Sequence, residues 1–380
     1  MQGKGILGGD RTAARRKQIR NWAILILLVI LVVVGIRVLG SVGRTAEISA
    51  SVLPCYSHQD VTIFGDNVLY YDGASIHCVT GTGGILWSFQ VGAGANFSAS
   101  DTHLAIWQGS QLYIVDRNGK PTYNENMPSP VQFARIGESY AVVVIGGDTE
   151  PEILVKDLQG AQLDSIEPEV FAGMLMLDAG FYGDGGQYMW TLAMDIYGPA
   201  ISTKMNLFQV GKMNLGIVSL GENLAYKVLF ENNQLRVFTT QQMYSYDYKG
   251  VQDMDGSMLV YGWRLIDHST SARGSTPLLL APTAQTNSIQ SITELRVLYG
   301  NIDRRYTLPS ACVGAAIQGS NLYAFSSNYL YRTNIDSQRF YAYAVPLPEG
   351  QSVTTFIGLT SGGRAILTSG DSVFAVTLPK

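Results

Sequence analysis

Metal binding is the first chemistry for which the sequence can be tested, because histidine, cysteine and acidic side chains are common metal ligands. Four histidines are present and lie far apart in the chain: His58, His77, His103 and His268. None stands in a His-x-x-x-His or His-Glu-x-x-His pattern, whereas zinc sites usually place their ligands at short, regular spacings. The histidines therefore do not indicate a zinc site.

The three cysteines, Cys55, Cys78 and Cys312, show no Cys-x-x-Cys spacing, and their odd number leaves at least one thiol unpaired. We interpret them as buried, small apolar residues. A Cys55–Cys78 disulfide stays open as an alternative if this region lies in an oxidising compartment.

Motifs for calcium binding occur only in part, and motifs for a catalytic nucleophile or for phosphate binding do not occur. Asp253-Met-Asp-Gly and Gly183-Asp-Gly-Gly resemble the start of a calcium loop, but neither is followed by the glutamate that completes twelve residues, so we interpret both as turns. The sequence contains neither a Gly-x-Ser-x-Gly elbow nor a phosphate-binding Gly-x-x-x-x-Gly-Lys-Ser/Thr loop. We therefore expect a non-catalytic protein without a metal or cofactor, and an enzyme of unknown type stays as an alternative.

Aromatic side chains suggest a different kind of site. The segment from Phe181 to Ile201 is rich in glycine and contains four large aromatic residues: Tyr182, Tyr188, Trp190 and Tyr197. Rigid aromatic side chains are common anchors at protein interfaces, so these four are our candidate partner contacts. The alternative is that Met189, Trp190 and Leu192 belong to the long strands of a larger blade, with Gly198-Pro199 as their hairpin turn.

A long apolar segment near the N-terminus predicts a membrane anchor. No charged residue occurs from Asn21 to Ile36, and Arg37 can extend its guanidinium to the interface. Residues 21–43 thus exceed the roughly 20 that a helix needs to cross a bilayer. Six basic residues precede them, which places residues 1–20 in the cytoplasm as a basic tail. A cleaved signal peptide has a similar layout but usually a shorter apolar region, so we expect a retained transmembrane helix.

Charge separates this tail from the rest of the chain. Of 26 basic and 30 acidic residues, eight basic and one acidic precede Thr45, which leaves 18 basic and 29 acidic residues beyond it. Such an acidic region is repelled by phosphate backbones, so nucleic acid is not an expected partner. We expect residues 45–380 to form an extracytoplasmic domain of a single-pass cell-membrane protein.

A recurring strand predicts the fold of this domain. Short runs of alternating apolar residues end in polar turns throughout residues 45–380, and no long helical period interrupts them. Eight similar strands begin at Ser75, Gln111, Ile153, Asn206, Met243, Leu295, Tyr329 and Ser372. Eight units in 336 residues average 42 each, which is typical of a four-stranded propeller blade. We therefore predict an all-β, eight-bladed β-propeller, with seven blades as the alternative.

Closure of the ring requires a strand from elsewhere. The last unit reaches Lys380 after three strands only, while the alternating segment Ala46–Val52 has no other assignment. We predict that this segment completes the final blade and pairs the two ends of the chain. Because it follows the apolar segment closely, we also expect this blade to lie near the bilayer.

Two motifs resemble quinoprotein-type (PQQ-like) propeller repeats: the Asp-x-x-Gly-Lys turn at Asp116–Lys120 and Gly-Gly-x-Leu-Trp at Gly83–Trp87. The resemblance implies that the turn and the tryptophan dock one blade on the next. A quinoprotein dehydrogenase would also need an adjacent cysteine pair and a calcium site, and no Cys-Cys occurs, so the cofactor is not implied. The whole layout also resembles a family of single-pass membrane proteins of Gram-positive Firmicutes, which implies no activity.

These features favour a membrane-tethered, extracytoplasmic protein-interaction scaffold with a protein partner in the cell envelope. The alternative is a sensor domain that binds a glycan or another small molecule in the central channel. Such a sensor would need a membrane partner, because the expected cytoplasmic tail of about 20 residues is too short for a signalling domain.

Overall fold

The computed structural model describes residues 48–269, 276–283 and 291–379. Their regular elements are 32 strands and two short 3-10 turns, Pro168–Phe171 and Asp184–Gly186. The strands form eight antiparallel sheets of four, which confirms an all-β propeller with eight blades rather than seven. The predicted tail at 1–20 and membrane helix at 21–43 lie outside the described residues. Among those described, no helix has the length and apolar character needed to cross a membrane.

The first strand, β1 (Ala50–Tyr56), belongs to the last blade, and the others follow in chain order. Blade 1 consists of β2 (Asp60–Phe64), β3 (Asn67–Tyr71), β4 (Ser75–Thr80) and β5 (Ile85–Gln90). Blade 2 consists of β6 (Asn96–Ala99), β7 (His103–Gln108), β8 (Gln111–Asp116) and β9 (Pro121–Asn126). Blade 3 consists of β10 (Val131–Ile136), β11 (Tyr140–Gly147), β12 (Glu150–Asp157) and β13 (Gln162–Ile166). Blade 4 consists of β14 (Met174–Tyr182), β15 (Tyr188–Asp195), β16 (Ser202–Gln209) and β17 (Met213–Gly221).

The second half of the ring repeats this pattern. Blade 5 consists of β18 (Ala225–Glu231), β19 (Gln234–Thr239), β20 (Gln242–Asp247) and β21 (Gln252–Leu259). Blade 6 consists of β22 (Trp263–His268), β23 (Leu278–Pro282), β24 (Ile292–Tyr299) and β25 (Ile302–Cys312). Blade 7 consists of β26 (Gly314–Gln318), β27 (Asn321–Phe325), β28 (Tyr329–Asn334) and β29 (Tyr341–Ala344). Blade 8 consists of β30 (Thr355–Leu359), β31 (Arg364–Ser369), β32 (Ser372–Thr377) and β1.

All eight predicted repeat strands are the third strand of a blade. They coincide with, or lie within, β4, β8, β12, β16, β20, β24, β28 and β32. Their buried residues alternate or run together because both faces of a blade are covered by its neighbours. The repeat is therefore structural and not a by-product of composition.

The closing strand pairs as predicted but begins later in the sequence. Strand β1 is antiparallel to β32, with Ala50 opposite Val376 and Val52 opposite Phe374, and an irregularity follows Val52. The predicted bounds of Ala46–Val52 are wrong at the C-terminal end, because the strand continues to Tyr56. Pro54 lies in the irregular part of the strand, where the ladder does not need its missing N–H.

Two residues of this irregular part enter the core. Leu53 and Cys55 are buried beside Val68 of blade 1 and Ile366 of blade 8. The N-terminal strand therefore contributes both backbone pairing and apolar packing to the boundary between the first and last blades.

The predicted docking of blades is present at the boundary of blades 1 and 2. Asp116 Oδ1 accepts a hydrogen bond of 2.9 Å from the N–H of Lys120 and so tightens the turn. Trp87 Nε1 donates a hydrogen bond of 2.9 Å to the carbonyl oxygen of Arg117 in that turn. Gly119 has φ +79°, and a Cβ there would lie 2.6 Å from the indole of Trp87. The indole thus requires a glycine beneath it.

The next boundary uses the same arrangement with a different aromatic residue. Asp157 Oδ1 accepts a hydrogen bond from the N–H of Ala161, and Gly160 has φ +86°. The ring of Tyr123 in blade 2 lies against Gly160. The same contact therefore occurs at two boundaries: an aromatic residue of an outer strand packs on a turn glycine of the following blade. The sequence motif revealed only the first of these contacts, because the second uses tyrosine instead of tryptophan.

Candidate functional site

The four aromatic residues predicted as partner contacts lie in different environments. Tyr182 and Trp190 are buried, at 3% and 8% exposure, and belong to the core of blades 4 and 5. The hydroxyl of Tyr182 donates a hydrogen bond of 2.8 Å to the carbonyl oxygen of Tyr248, and burial raises the pKa of this phenol. Tyr188 is half-buried and stacks on Tyr182, with ring centroids 5.2 Å apart. These three positions fit the alternative of long strands.

Tyr197 is the exposed member of the set, with 67% of its surface accessible. It lies in the connection between β15 and β16, which is the hairpin expected around Gly198-Pro199. Asp195 Oδ1 accepts hydrogen bonds from the N–H groups of Tyr197 and Gly198, at 3.1 and 3.0 Å. The side chain of Tyr197 is therefore presented by a turn that its own sequence fixes.

Other exposed apolar residues lie at the same end of the propeller. In an antiparallel blade, the connection between the second and third strands and the linker to the next blade are at one end of the sheet. Six exposed side chains occupy such connections of blades 3 to 5, and Leu259 is the last residue of β21, directly before the linker to blade 6. We name these seven the apolar rim: Val170, Ile196, Tyr197, Ile201, Leu224, Leu259 and Tyr261. Sequence reasoning found only Tyr197 of this group.

Acidic residues accompany the apolar rim. Linkers 167–173 and 222–224 contain Glu167, Glu169 and Glu222, and neither these linkers nor hairpin 196–201 contains a basic residue. All three glutamates are exposed. The apolar side chains of the rim are therefore accompanied by negative charge in two of its linkers.

The inner strands carry a second group of polar residues along the central channel. In blades 3 to 6 their charges alternate in sign: Arg135, Asp178, Lys227 and Asp267. Arg135 Nε donates to Asp178 Oδ1 at 2.8 Å, across the boundary between blades 3 and 4. Asp178 and Lys227 line a common cavity of about 210 Å³.

Asp267 is held by backbone groups at the other end of this series. Its Oδ2 accepts from the N–H of Ile317 and its Oδ1 from the N–H of His268, both at 2.8 Å. Burial raises the pKa of Asp267, while these hydrogen bonds and Lys227 act in the opposite direction. Burial lowers the pKa of His268, and Lys227 adds to this effect. Both residues line a cavity of about 420 Å³ between blades 6, 7 and 8.

A third cavity lies at the end of the channel that carries the rim, on the side of blades 8, 1 and 2. It measures about 730 Å³ and is formed mainly by the first residues of inner strands β2, β6 and β30. Its polar side chains are mostly hydroxyls and amides: Ser57, Gln59, Thr62, Asn96, Ser98, Thr354, Thr355 and Thr368. Asp60 is the charged side chain among the described residues that line it. We name this cavity the channel mouth.

A hydrogen-bonded Asp–His–Ser arrangement also occurs on blade 1, and sequence reasoning missed it. His77 Nε2 is 2.9 Å from Asp72 Oδ2, and His77 Nδ1 is 2.7 Å from Ser88 Oγ. His77 and Ser88 are direct cross-strand neighbours, a relation that only the register reveals. The cavities described here are not lined by Ser88. Asp72 also accepts from the N–H groups of Ala74 and Ser75, so the arrangement fixes a turn.

The cysteines fit the sequence interpretation that they are buried, small residues. Cys55, Cys78 and Cys312 are buried free thiols in the structure, which does not contain the alternative Cys55–Cys78 disulfide. Burial raises the pKa of Cys55 and Cys78 to about 11 and that of Cys312 to about 12. Within residues 48–269, 276–283 and 291–379, no group of three histidine, cysteine or acidic side chains is arranged to bind a metal ion.

Comparison with known proteins places the chain in the class of β-propellers. No protein-family model and no curated protein sequence matches it. The structure is similar to that of Sqt1 from Saccharomyces cerevisiae, with a TM-score of 0.55 and 10% identity over 87% of this chain and all of that one. It is also similar to BamB from Moraxella catarrhalis, with a TM-score of 0.49 and 10% identity over 88% of this chain and 98% of that one. The likeness to Sqt1 shows a shared fold.

Proposed function

We propose that this protein is a membrane-tethered, extracytoplasmic β-propeller that acts as a non-catalytic protein-interaction scaffold in the cell envelope. The apolar rim carries the proposal. Its seven large side chains are between 43% and 74% exposed, and exposed apolar clusters on soluble domains commonly mark interaction sites. Tyr197 and Tyr261, which are 67% and 74% exposed, are the two aromatic residues of the rim and are best suited to anchor a partner.

The charge around the rim specifies the partner further. An apolar surface with acidic linkers is complementary to an apolar surface that is edged by basic residues. We therefore propose an envelope protein with such a surface as the partner. A nucleic acid does not fit, because the rim linkers and the region beyond Thr45 are both acidic.

The membrane part of the proposal is supported by the sequence alone. The basic tail at 1–20 and the apolar segment at 21–43 have the pattern of a single-pass anchor with its N-terminus in the cytoplasm. On this topology the propeller and its rim face the cell envelope.

Crosslinking in cells followed by mass spectrometry tests the scaffold. We compare the unaltered protein with the double variant Tyr197→Ala/Tyr261→Ala and with Tyr341→Ala, an exposed tyrosine on the outer strand of blade 7. We expect a stable crosslinked envelope protein that the double variant loses and Tyr341→Ala retains. Equal crosslinking by all three forms would contradict a role for the rim.

A second candidate function is a ligand-binding sensor domain that acts with a membrane partner. It is favoured by the channel mouth, whose volume of about 730 Å³ is within the range of small-molecule sites. Copurification of a bound metabolite without a stable protein partner would support this function over the scaffold.

A further inference from the structure

We propose that the channel mouth is a binding site for a neutral, polyhydroxylated ligand of the oligosaccharide class, with Thr62 and Ser98 as its hydrogen-bonding residues. This inference deepens the second candidate function and does not depend on the scaffold. It rests on the chemistry of the lining, on the hydrogen bonds that these side chains make, and on the contrast with the rest of the channel.

The lining suits a ligand whose groups both donate and accept hydrogen bonds. Serine and threonine hydroxyls do both, and the amides of Gln59 and Asn96 add fixed donors and acceptors. Val61 and Ile357 also line the channel mouth and can pack against the C–H faces of a sugar ring. The lining is more polar than that of most small-molecule sites, which suits a ligand with many hydroxyl groups.

Some of these polar groups already make hydrogen bonds within the protein, and others are available to a ligand. Among the engaged groups, Thr354 and Thr368 hydrogen-bond each other at 2.8 Å, and Gln59 Oε1 accepts from the N–H of Tyr56 at 2.9 Å. Among the described residues, by contrast, the side chains of Thr62 and Ser98 have no hydrogen-bond partner. They lie on the neighbouring inner strands β2 and β6, so one ligand can contact both.

The charge of the channel mouth disfavours anionic ligands, which are the main alternative class. Asp60 is acidic, and the described residues that line the channel mouth include no lysine or arginine that could neutralise a phosphate or carboxylate. The basic residues Arg135 and Lys227 belong to blades 3 and 5, where each has an acidic neighbour along the inner strands. An anionic ligand is therefore disfavoured, whereas the Asp60 carboxylate can accept hydrogen bonds from two adjacent sugar hydroxyls.

Isothermal titration calorimetry on the full chain, in a detergent without a sugar headgroup, tests this site. The probes are the tetrasaccharide of N-acetylglucosamine, maltotetraose and, as an anionic comparison, tetragalacturonate. We expect at least one neutral tetrasaccharide to bind and tetragalacturonate to bind more weakly or not at all. Failure of both neutral probes, or preference for the anion, would overturn the proposal.

Conservative variants locate the site. Thr62→Val and Ser98→Ala each remove a hydroxyl with little change of shape, and Thr307→Val makes the same change on the exposed outer strand β25. We expect each of the first two to weaken saccharide binding roughly threefold to tenfold, the effect of one hydrogen bond, and Thr307→Val to leave it unchanged. Unchanged thermal unfolding serves as the control for folding. Binding that neither variant weakens, or a peptide that competes at these residues, would overturn the assignment.

The outcome is separable from that of the scaffold. Loss of crosslinks in the rim variants does not involve Thr62 or Ser98, and saccharide binding does not involve Tyr197 or Tyr261. Retained saccharide binding in the rim double variant, together with lost crosslinks, would support two independent sites at one end of the propeller.

Discussion

At the scale of single residues, the contacts between blades depend on glycines that no other residue can replace. Gly119 and Gly160 combine a positive φ with an aromatic ring directly over the backbone. Any other residue would be strained by the positive φ, and its Cβ would clash with the aromatic ring. At both boundaries the aromatic ring therefore packs on a glycine in a turn that an aspartate side chain stabilises by hydrogen bonds.

Gly119→Ala is predicted to lower the free energy of unfolding more than Gly211→Ala does. Gly211 has a similar φ of +70°, but a Cβ there would meet nothing within 4 Å. We expect about 1 kcal/mol for Gly211→Ala from backbone strain and at least about 1 kcal/mol more for Gly119→Ala from displacement of Trp87. Chemical denaturation of both variants measures the difference, and equal losses would remove the docking role of Trp87.

The cysteines are predicted to resist alkylation in the folded protein. Burial raises the pKa of Cys55 and Cys78 to about 11 and of Cys312 to about 12, so at pH 8 the thiols are protonated as well as inaccessible. Iodoacetamide should label none of them before unfolding and all three in guanidinium without reductant. Labelling of a single cysteine under the latter condition would instead indicate a Cys55–Cys78 disulfide.

At the scale of elements, the ring is closed by a strand from the opposite end of the chain. Strand β1 is the outermost strand of blade 8 and has irregular pairing around Pro54. It pairs with β32 and also buries Leu53 and Cys55 between the first and last blades. Because each blade buries its faces only against its neighbours, loss of one boundary affects the whole ring.

Removal of β1 is predicted to destabilise the propeller by several kcal/mol out of the about 5 to 15 kcal/mol typical of a domain. A chain that begins at Ser57 should unfold at a lower temperature and less cooperatively than one that begins at Thr45. Equal midpoints and equal cooperativity would exclude β1 from the ring.

Two point variants measure how much the buried side chains of this strand contribute to stability. Leu53→Ala is predicted to cost about 2 to 5 kcal/mol, because Leu53 is 2% exposed. Val52→Ala, at the neighbouring position with 58% exposure, should change stability by no more than about 0.5 kcal/mol. Urea unfolding of the two variants checks this order.

At the scale of the whole molecule, two surfaces of different chemistry occupy one end of the propeller. The apolar rim lies in the connections of blades 3 to 5, and the channel mouth lies between blades 8, 1 and 2. A rigid ring can present both at once, because its blades are fixed by the contacts described above. This arrangement is compatible with a scaffold that also responds to a small ligand.

The predicted topology has its own test. If residues 1–20 are cytoplasmic and residues 21–43 span the membrane, protease added to intact protoplasts should remove the propeller and leave a small anchored fragment. Protection of the propeller until the membrane is opened would contradict this orientation. A mature N-terminus near Thr45 would instead show that the apolar segment is a cleaved signal peptide.

The sequence by itself determined the class of fold, favoured eight blades over seven and indicated the closing role of the N-terminal strand. Each depends on local signals: alternation of apolar residues marks strands, and glycine with aspartate marks turns. Trp87 and the turn at Asp116–Lys120 were identified for the same reason, since both motifs are continuous in the chain.

Only the tertiary structure decided which residues lie together. The burial of Tyr182 and Trp190, the exposure of Tyr197 and the bounds of β1 depend on packing between blades. The channel mouth and the pairing of His77 with Ser88 depend on register and on distances between strands that are remote in sequence. Alternation assigns a side chain to one of two faces of a strand, but both faces of a propeller blade are covered by neighbours, so the pattern does not say which neighbour it meets.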